Sequence, residues 1–178
     1  IVITNRHLVQ GDFLKQLEKV TKLHPHALIL REKDLTDDAY ESLAKKVFDL
    51  CEREDITFFL HTKIEIARKI GCQNIHLSIP VLKGLSETEK KALTEDFCEI
   101  SISCHSMEDV EIAMAGGATQ IILGTIFETE CKKGVLGKGV EFVREICQKC
   151  PLPVYAIGGM NLQRLHLVID AGAAGCCM

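Results

Sequence analysis

Short apolar runs alternate with amphipathic stretches from one end of this 178-residue chain to the other. The apolar runs fall at 1–4, 27–31, 57–60, 74–78, 99–103, 120–124, 154–157 and 175–178. They read as continuous apolar segments, as strands buried on both faces do. Between them, apolar residues recur at helical spacing over 12–22, 36–54, 63–70, 86–94, 106–115, 140–148 and 162–171. Strand–helix alternation of this kind calls for a parallel sheet with helices packed outside it, because a parallel neighbour is reached only through a crossover. Eight strands predict an α/β chain folded as a (β/α)8 TIM barrel, one domain over 1–178. An open doubly wound sheet is the competing arrangement. Such barrels ordinarily run to about 200 residues or more, and the last apolar run reaches Met178 with no helix after it. The sequence therefore reads as a barrel apparently truncated within its eighth strand.

Local signals agree with this rhythm. Thr36 stands where it can cap the second helix, and Ser106 followed by Asp109 is a capping pattern. Gly71, Gly116-Gly117 and Gly172 stand at helix ends, where a left-handed residue is wanted. A net charge of −4 without a basic run argues against a nucleic-acid partner. No apolar run approaches the ~18 residues of a membrane span, and no signal peptide is visible, so a cytoplasmic protein is expected. The nine cysteines, odd in number and scattered, read as reduced thiols rather than a disulfide framework. A homo-oligomer stays open.

In a (β/α)8 barrel the residues just past each strand form the working rim. Here they are Arg31-Glu32-Lys33, His61-Thr62, Ser78, Ser103-Cys104-His105, Gly124-Thr125 and Gly158-Gly159. A long loop follows the sixth strand and carries Thr129, Cys131, Lys132, Lys133 and three glycines. Lysines supply charge, and glycines let backbone N–H groups approach an anion. Gly158-Gly159, ahead of a helix, offers a second phosphate cradle. The expected partner is a small phosphate-bearing molecule. Cys131, beside two lysines, is a further candidate contact.

Several pieces together resemble the thiamine phosphate synthase / thiazole tautomerase superfamily. They are Leu30-Arg31-Glu32-Lys33-Asp34-Leu35, Ile75-His76-Leu77, Ser103-Cys104-His105-Ser106, the run from Gly124 to Gly134, and Val154-Tyr155-Ala156-Ile157-Gly158-Gly159-Met160. The resemblance implies a (β/α)8 barrel acting on the thiazole phosphate of thiamine biosynthesis. The synthase branch joins a pyrimidine diphosphate to a thiazole phosphate with Mg²⁺ help. On that pattern Arg31 and Lys33 match pyrophosphate-binding cations, Lys132 and Ser103 match further substrate contacts, and Thr129 matches a thiazole-side contact. His61-Thr62 stands where that branch has an Asn-Asp pair, and Ser78-Ile79-Pro80-Val81 where it has a second acidic residue.

The loop Phe127-Glu128-Thr129-Glu130-Cys131-Lys132-Lys133-Gly134 is similar to the tautomerase branch, whose reaction moves one proton and needs no metal. That branch has a His where Thr125 stands, so His61 is the expected acid/base and His105 the second candidate. The leading expectation is accordingly a metal-free thiazole tautomerase-type isomerase with no cofactor. One alternative is a thiamine phosphate synthase with an altered Mg²⁺ site. The other is a non-catalytic phosphate-ligand binding or regulatory protein.

Overall fold

The computed structural model of the chain describes residues 1–129 and 134–178. Its eight strands form one sheet whose order follows the chain, β1 to β8. They are β1 (Val2–Ile3), β2 (Ala27–Leu30), β3 (Thr57–His61), β4 (Asn74–Ser78), β5 (Glu99–Cys104), β6 (Gln120–Gly124), β7 (Val154–Ile157) and β8 (Gly175–Cys176). This parallel, sequential order is the (β/α)8 topology expected from the alternation, and it excludes the doubly wound order. The helices are α1 (Phe13–Thr21), α2 (Asp37–Arg53), α3 (Ile64–Ile70), α4 (Ile79–Gly84), α5 (Glu87–Asp96), α6 (Met107–Ala115), α7 (Gly139–Lys149) and α8 (Leu162–Asp170). Among the described residues no helix is long and apolar enough to cross a membrane.

The chain divides into two compact units, Ile1–His76 with Asp96–Cys98, and Leu77–Glu95 with Glu99–Met178. In the first unit, β1, β2, β3 and the start of β4 pair in parallel, with Leu30 opposite Leu60 and His61 opposite His76. Leu28, Ile29, Leu30, Phe59 and Leu60 are fully buried. Helix α2 lays Tyr40, Ala44, Val47 and Cys51 against this sheet as one stripe at helical spacing. Phe48 of that helix stacks on Phe58 at 5.7 Å between ring centroids. Thr36 caps α2 by accepting from the Ala39 N–H, and Gly71 ends α3 in the left-handed conformation at φ 74°.

In the second unit, β5 to β8 pair in parallel, with Ser103 opposite Ile122 and Gly124 opposite Ile157. Ile102, Ile121 and Leu123 are fully buried, and so are Val110 and Ala113 of α6, Val143 and Ile146 of α7, and Val168 of α8. Ser106 Oγ accepts from the Asp109 N–H at 3.1 Å, the cap that its spacing announces. Helix α4 has no counterpart in the sequence reading, which ends the strand at Ser78 and begins the next helix at Ser86. Pro80 lies in the first turn of α4, where its missing N–H has no intrahelical partner to lose.

Candidate functional site

The carboxyl end of β2 sends its charges to different places. Glu32 is 2 % exposed, and its carboxylate is saturated. It accepts from the Thr4 hydroxyl at 2.7 Å, from the Arg6 N–H at 3.0 Å and from the Arg6 guanidinium at 3.1 Å. Arg6 also pairs with Asp34 and holds that carboxyl well below the usual carboxylate range. Lys63, after β3, pairs with Asp37 at 2.5 Å. Arg31 is half-buried, and its backbone N–H donates to the Thr4 hydroxyl at 3.0 Å. Its guanidinium takes no carboxylate among the described residues. Positive charge is therefore left unmatched at Arg31, one residue past the Leu30–Leu60 pair and so beside His61.

His61 is 7 % exposed and its ring stacks on that of His76 at 5.4 Å, following their register across β3 and β4. Its Nδ1 is buried without a hydrogen-bond partner among the described residues. Burial, reinforced by Arg31 and Lys33, pushes the His61 imidazole down to about 4. Burial, then the His61 ring and Arg31, push His76 down to about 3. Both rings are neutral at pH 7. The strand end is held by Tyr40, whose buried hydroxyl donates to the Leu30 carbonyl at 2.6 Å and accepts from the His61 N–H at 3.2 Å. Thr62 follows with φ 62°, a conformation that suits Asn or Asp and strains a β-branched residue. Its hydroxyl donates to the His61 carbonyl at 2.7 Å.

In the second unit, Ser103 is half-buried in β5 and His105 is exposed just beyond it. The His105 Nδ1 lies 2.5 Å from the Gly124 carbonyl oxygen. A carbonyl only accepts, so Nδ1 carries a proton and donates it. Lys138 fastens the loop after β6 to this end: its ammonium contacts the His105 carbonyl and lies 4.7 Å from the Phe142 ring centroid. Thr125 is 5 % exposed. A methyl carbon at Gly158 would lie 2.5 Å from Thr125 Cγ2, and one at Gly159 would lie 2.5 Å from the Glu128 carbonyl oxygen. A methyl carbon at Gly137 would lie 2.6 Å from the Ile126 carbonyl oxygen. These glycines let two stretches of this chain approach each other, whatever else they do for a ligand. Arg164 of α8 closes the turn by donating to the Gly159 carbonyl and lying over the Phe127 ring. Thr129 is half-buried in the same loop, and the sequence candidates Cys131 and Lys132 lie outside the described residues.

Mg²⁺, which the synthase branch implies, wants hard oxygen donors and usually a carboxylate. The β3 end offers an imidazole and a hydroxyl instead, and Glu32 is already saturated. In the second unit, β4 ends at Ser78 and passes directly into α4. Among the described residues no group of three or more His, Cys, Asp or Glu side chains is arranged to hold a metal ion. This donor set does not fit the ion.

A sequentially ordered parallel sheet with helices between its strands defines a (β/α)-barrel protein. The chain belongs to the thiamine monophosphate synthase family, whose model matches residues 1–178. Among its relatives is a thiamine-phosphate synthase of Coprothermobacter proteolyticus. It is 30% identical over 175 residues, which are 98% of this chain and 82% of that one. A thiamine-phosphate synthase of Clostridium acetobutylicum is 29% identical over 179 residues, again 98% and 82%. Among solved structures, thiamine phosphate pyrophosphorylase from Pyrococcus furiosus superposes with a TM-score of 0.85 at 23% identity, covering 99% of this chain and 83% of that one.

These comparisons correct the leading expectation. Relatives matched over nearly the whole chain are named for the synthase reaction, and the tautomerase reading from the loop after β6 is withdrawn with its isomerase activity. The acid/base roles expected of His61 and His105 belonged to that reading.

Proposed function

We propose that this chain is a thiamine-phosphate synthase, joining a pyrimidine diphosphate to a thiazole phosphate with release of pyrophosphate. The near full-length similarity to synthases supports the reading. The observation that carries it at the level of residues is the unmatched positive charge of Arg31 beside His61, with the neighbouring Glu32 withdrawn to Thr4 and Arg6.

In this reaction the carbon–oxygen bond to the diphosphate breaks, and its electron pair leaves on pyrophosphate. The thiazole nitrogen then bonds to that carbon with its own lone pair. The chief electrostatic demand is on the leaving group, whose negative charge grows as the bond breaks. Arg31 and Lys33 meet that demand. A guanidinium forks across two phosphate oxygens, and an ammonium adds a point charge. Tyr40 holds the ends of β2 and β3 together, which keeps Arg31 beside His61. Ser103, Thr129 and Lys132 are the substrate contacts that the family resemblance supplies. The test is formation of thiamine phosphate from the two precursors, which Arg31→Ala should slow by about 10- to 100-fold, the worth of a hydrogen bond to a charged group.

A second reading, a non-catalytic phosphate-ligand binding protein, is favoured by the missing carboxylates after β3 and β4. It predicts thermal stabilisation by the precursors with no thiamine phosphate formed under any metal.

A further inference from the structure

At its carboxyl end β2 loses its backbone rungs on both sides at the same peptide group. On the β1 side the Thr4 N–H donates to the Ile29 carbonyl at 3.0 Å, so the next rung of a parallel ladder would run from the Arg31 N–H to the Thr4 carbonyl. The Arg31 N–H goes to the Thr4 hydroxyl instead, at 3.0 Å. On the β3 side Leu30 stands opposite Leu60, and the next rung would run from the His61 N–H to the Leu30 carbonyl. The Tyr40 hydroxyl stands between those two groups, donating to the carbonyl at 2.6 Å and accepting from the N–H at 3.2 Å. The Leu30 carbonyl and the Arg31 N–H belong to one peptide group. Two hydroxyls, one from the end of β1 and one from α2, therefore hold that group by its oxygen and by its nitrogen. We propose that Thr4 and Tyr40 are positioning residues: they fix the direction in which Arg31 leaves the sheet, and through Arg31 they set the affinity for the diphosphate. The inference rests on the synthase reading for the role of Arg31.

The orientation of the Thr4 hydroxyl is itself determined. A carboxylate accepts and does not donate, so the single Thr4 proton points to Glu32, 2.7 Å away, and a lone pair is left for the Arg31 N–H. Glu32 is held in turn by the Arg6 N–H at 3.0 Å and the Arg6 guanidinium at 3.1 Å. Thr4 is 4 % and Tyr40 1 % exposed. Both hydroxyls are thus buried and engaged by groups of this chain, so they act on a ligand only through Arg31. With the peptide plane held from both sides, the Cα–Cβ bond of Arg31 has a set direction, and only its side-chain torsions are left to order when an anion arrives. Ordering fewer torsions on binding is what preorganisation contributes to affinity.

The experiment is a set of double-mutant cycles, with inorganic pyrophosphate as the probe, calorimetric titration as the readout, the full chain throughout and Mg²⁺ at one fixed concentration. Arg31→Ala is expected to weaken pyrophosphate binding by about tenfold or more. Thr4→Val and Tyr40→Phe, which remove only the hydroxyls, should each weaken it by about fivefold. In the Arg31→Ala background each should change it by less than about twofold, because the group they position is gone. Thr4→Ser, which keeps the hydroxyl, should bind within about twofold of the parent. Urea unfolding of the same variants gives the contrasting readout: Thr4→Val and Tyr40→Phe should lower the midpoint equally with and without Arg31. Unchanged affinity in Thr4→Val and Tyr40→Phe, or the same weakening whether or not Arg31 is present, overturns the proposal and leaves the synthase reading standing. Arg31→Ala binding as tightly as the parent overturns both, and places the fault in the role given to Arg31. The expected coupling in a chain that forms no thiamine phosphate from its two precursors refutes the synthase reading and upholds the positioning.

Discussion

Two imidazoles buried neutral side by side make this fold sensitive to acid. His61 is pushed down to about 4 and His76 to about 3, against 6.5 for an unstructured histidine. In both cases the folded value is the lower one, so the unfolded chain binds protons that the native state refuses. The stability these rings contribute is complete above pH 6.5. It falls as pH drops toward 4 for His61 and toward 3 for His76. At about pH 5 the unfolded imidazoles are almost fully protonated and the folded ones are not, which costs about 2 kcal/mol per ring and about 4 kcal/mol for the pair. The groups that reinforce the effect are Arg31 and Lys33, which repel a proton on either ring or on His61 alone. Urea unfolding of the parent chain and of a His61→Asn/His76→Asn variant, at about pH 7.5 and about pH 5, isolates the term from the carboxylates common to both. The parent should lose about 4 kcal/mol more than the variant over that interval. An NMR titration of the imidazole carbons in the folded parent avoids the substitutions altogether. Equal losses in the two chains, or imidazoles titrating near 6.5 in the folded state, would refute the reasoning.

Other consequences follow from single contacts. Tyr40→Phe leaves both the Leu30 carbonyl and the His61 N–H without their shared hydroxyl, and should cost about 1–3 kcal/mol in urea unfolding. Thr62→Asn relieves the left-handed β-branched residue and should raise stability by about 1 kcal/mol, read as a higher thermal midpoint. Gly71→Ala and Gly159→Ala separate strain from collision. Both positions have positive φ, but an added methyl at Gly71 meets open space while one at Gly159 meets the Glu128 carbonyl at 2.5 Å. The first should cost about 1–2 kcal/mol and the second clearly more.

Much of the architecture is legible in the sequence because each element carries its own signal. The apolar runs of β2 and β6, the cap at Thr36, the Ser106–Asp109 pattern and Gly71 each need only a few neighbouring residues to be read. The site is less legible because its geometry is made by distant partners. Arg31, Glu32 and Lys33 are consecutive and read as one rim segment, yet Glu32 is drawn away by Thr4 and Arg6, which lie 28 and 26 positions earlier. Tyr40 reads as one more apolar position of α2, and nothing near it announces that its hydroxyl ties β2 to β3. Thr62 gives no sign in sequence of its left-handed backbone. Gly137, Gly158 and Gly159 invite a phosphate reading, and in the fold each also admits a neighbouring stretch of chain. The reaction is hard to read for a related reason. Eight residues after β6 are similar to one branch, but similarity spread over 98% of the chain points to the other.

The central claim is that this barrel makes thiamine phosphate with cations of its own at the diphosphate. Its most direct test is a single assay of the two precursors with the full chain, in EDTA and in Mg²⁺, following thiamine phosphate and pyrophosphate together. The account predicts both products in equal amounts, slowed by Arg31→Ala. No product in either condition, with the precursors still raising the thermal midpoint, would contradict it.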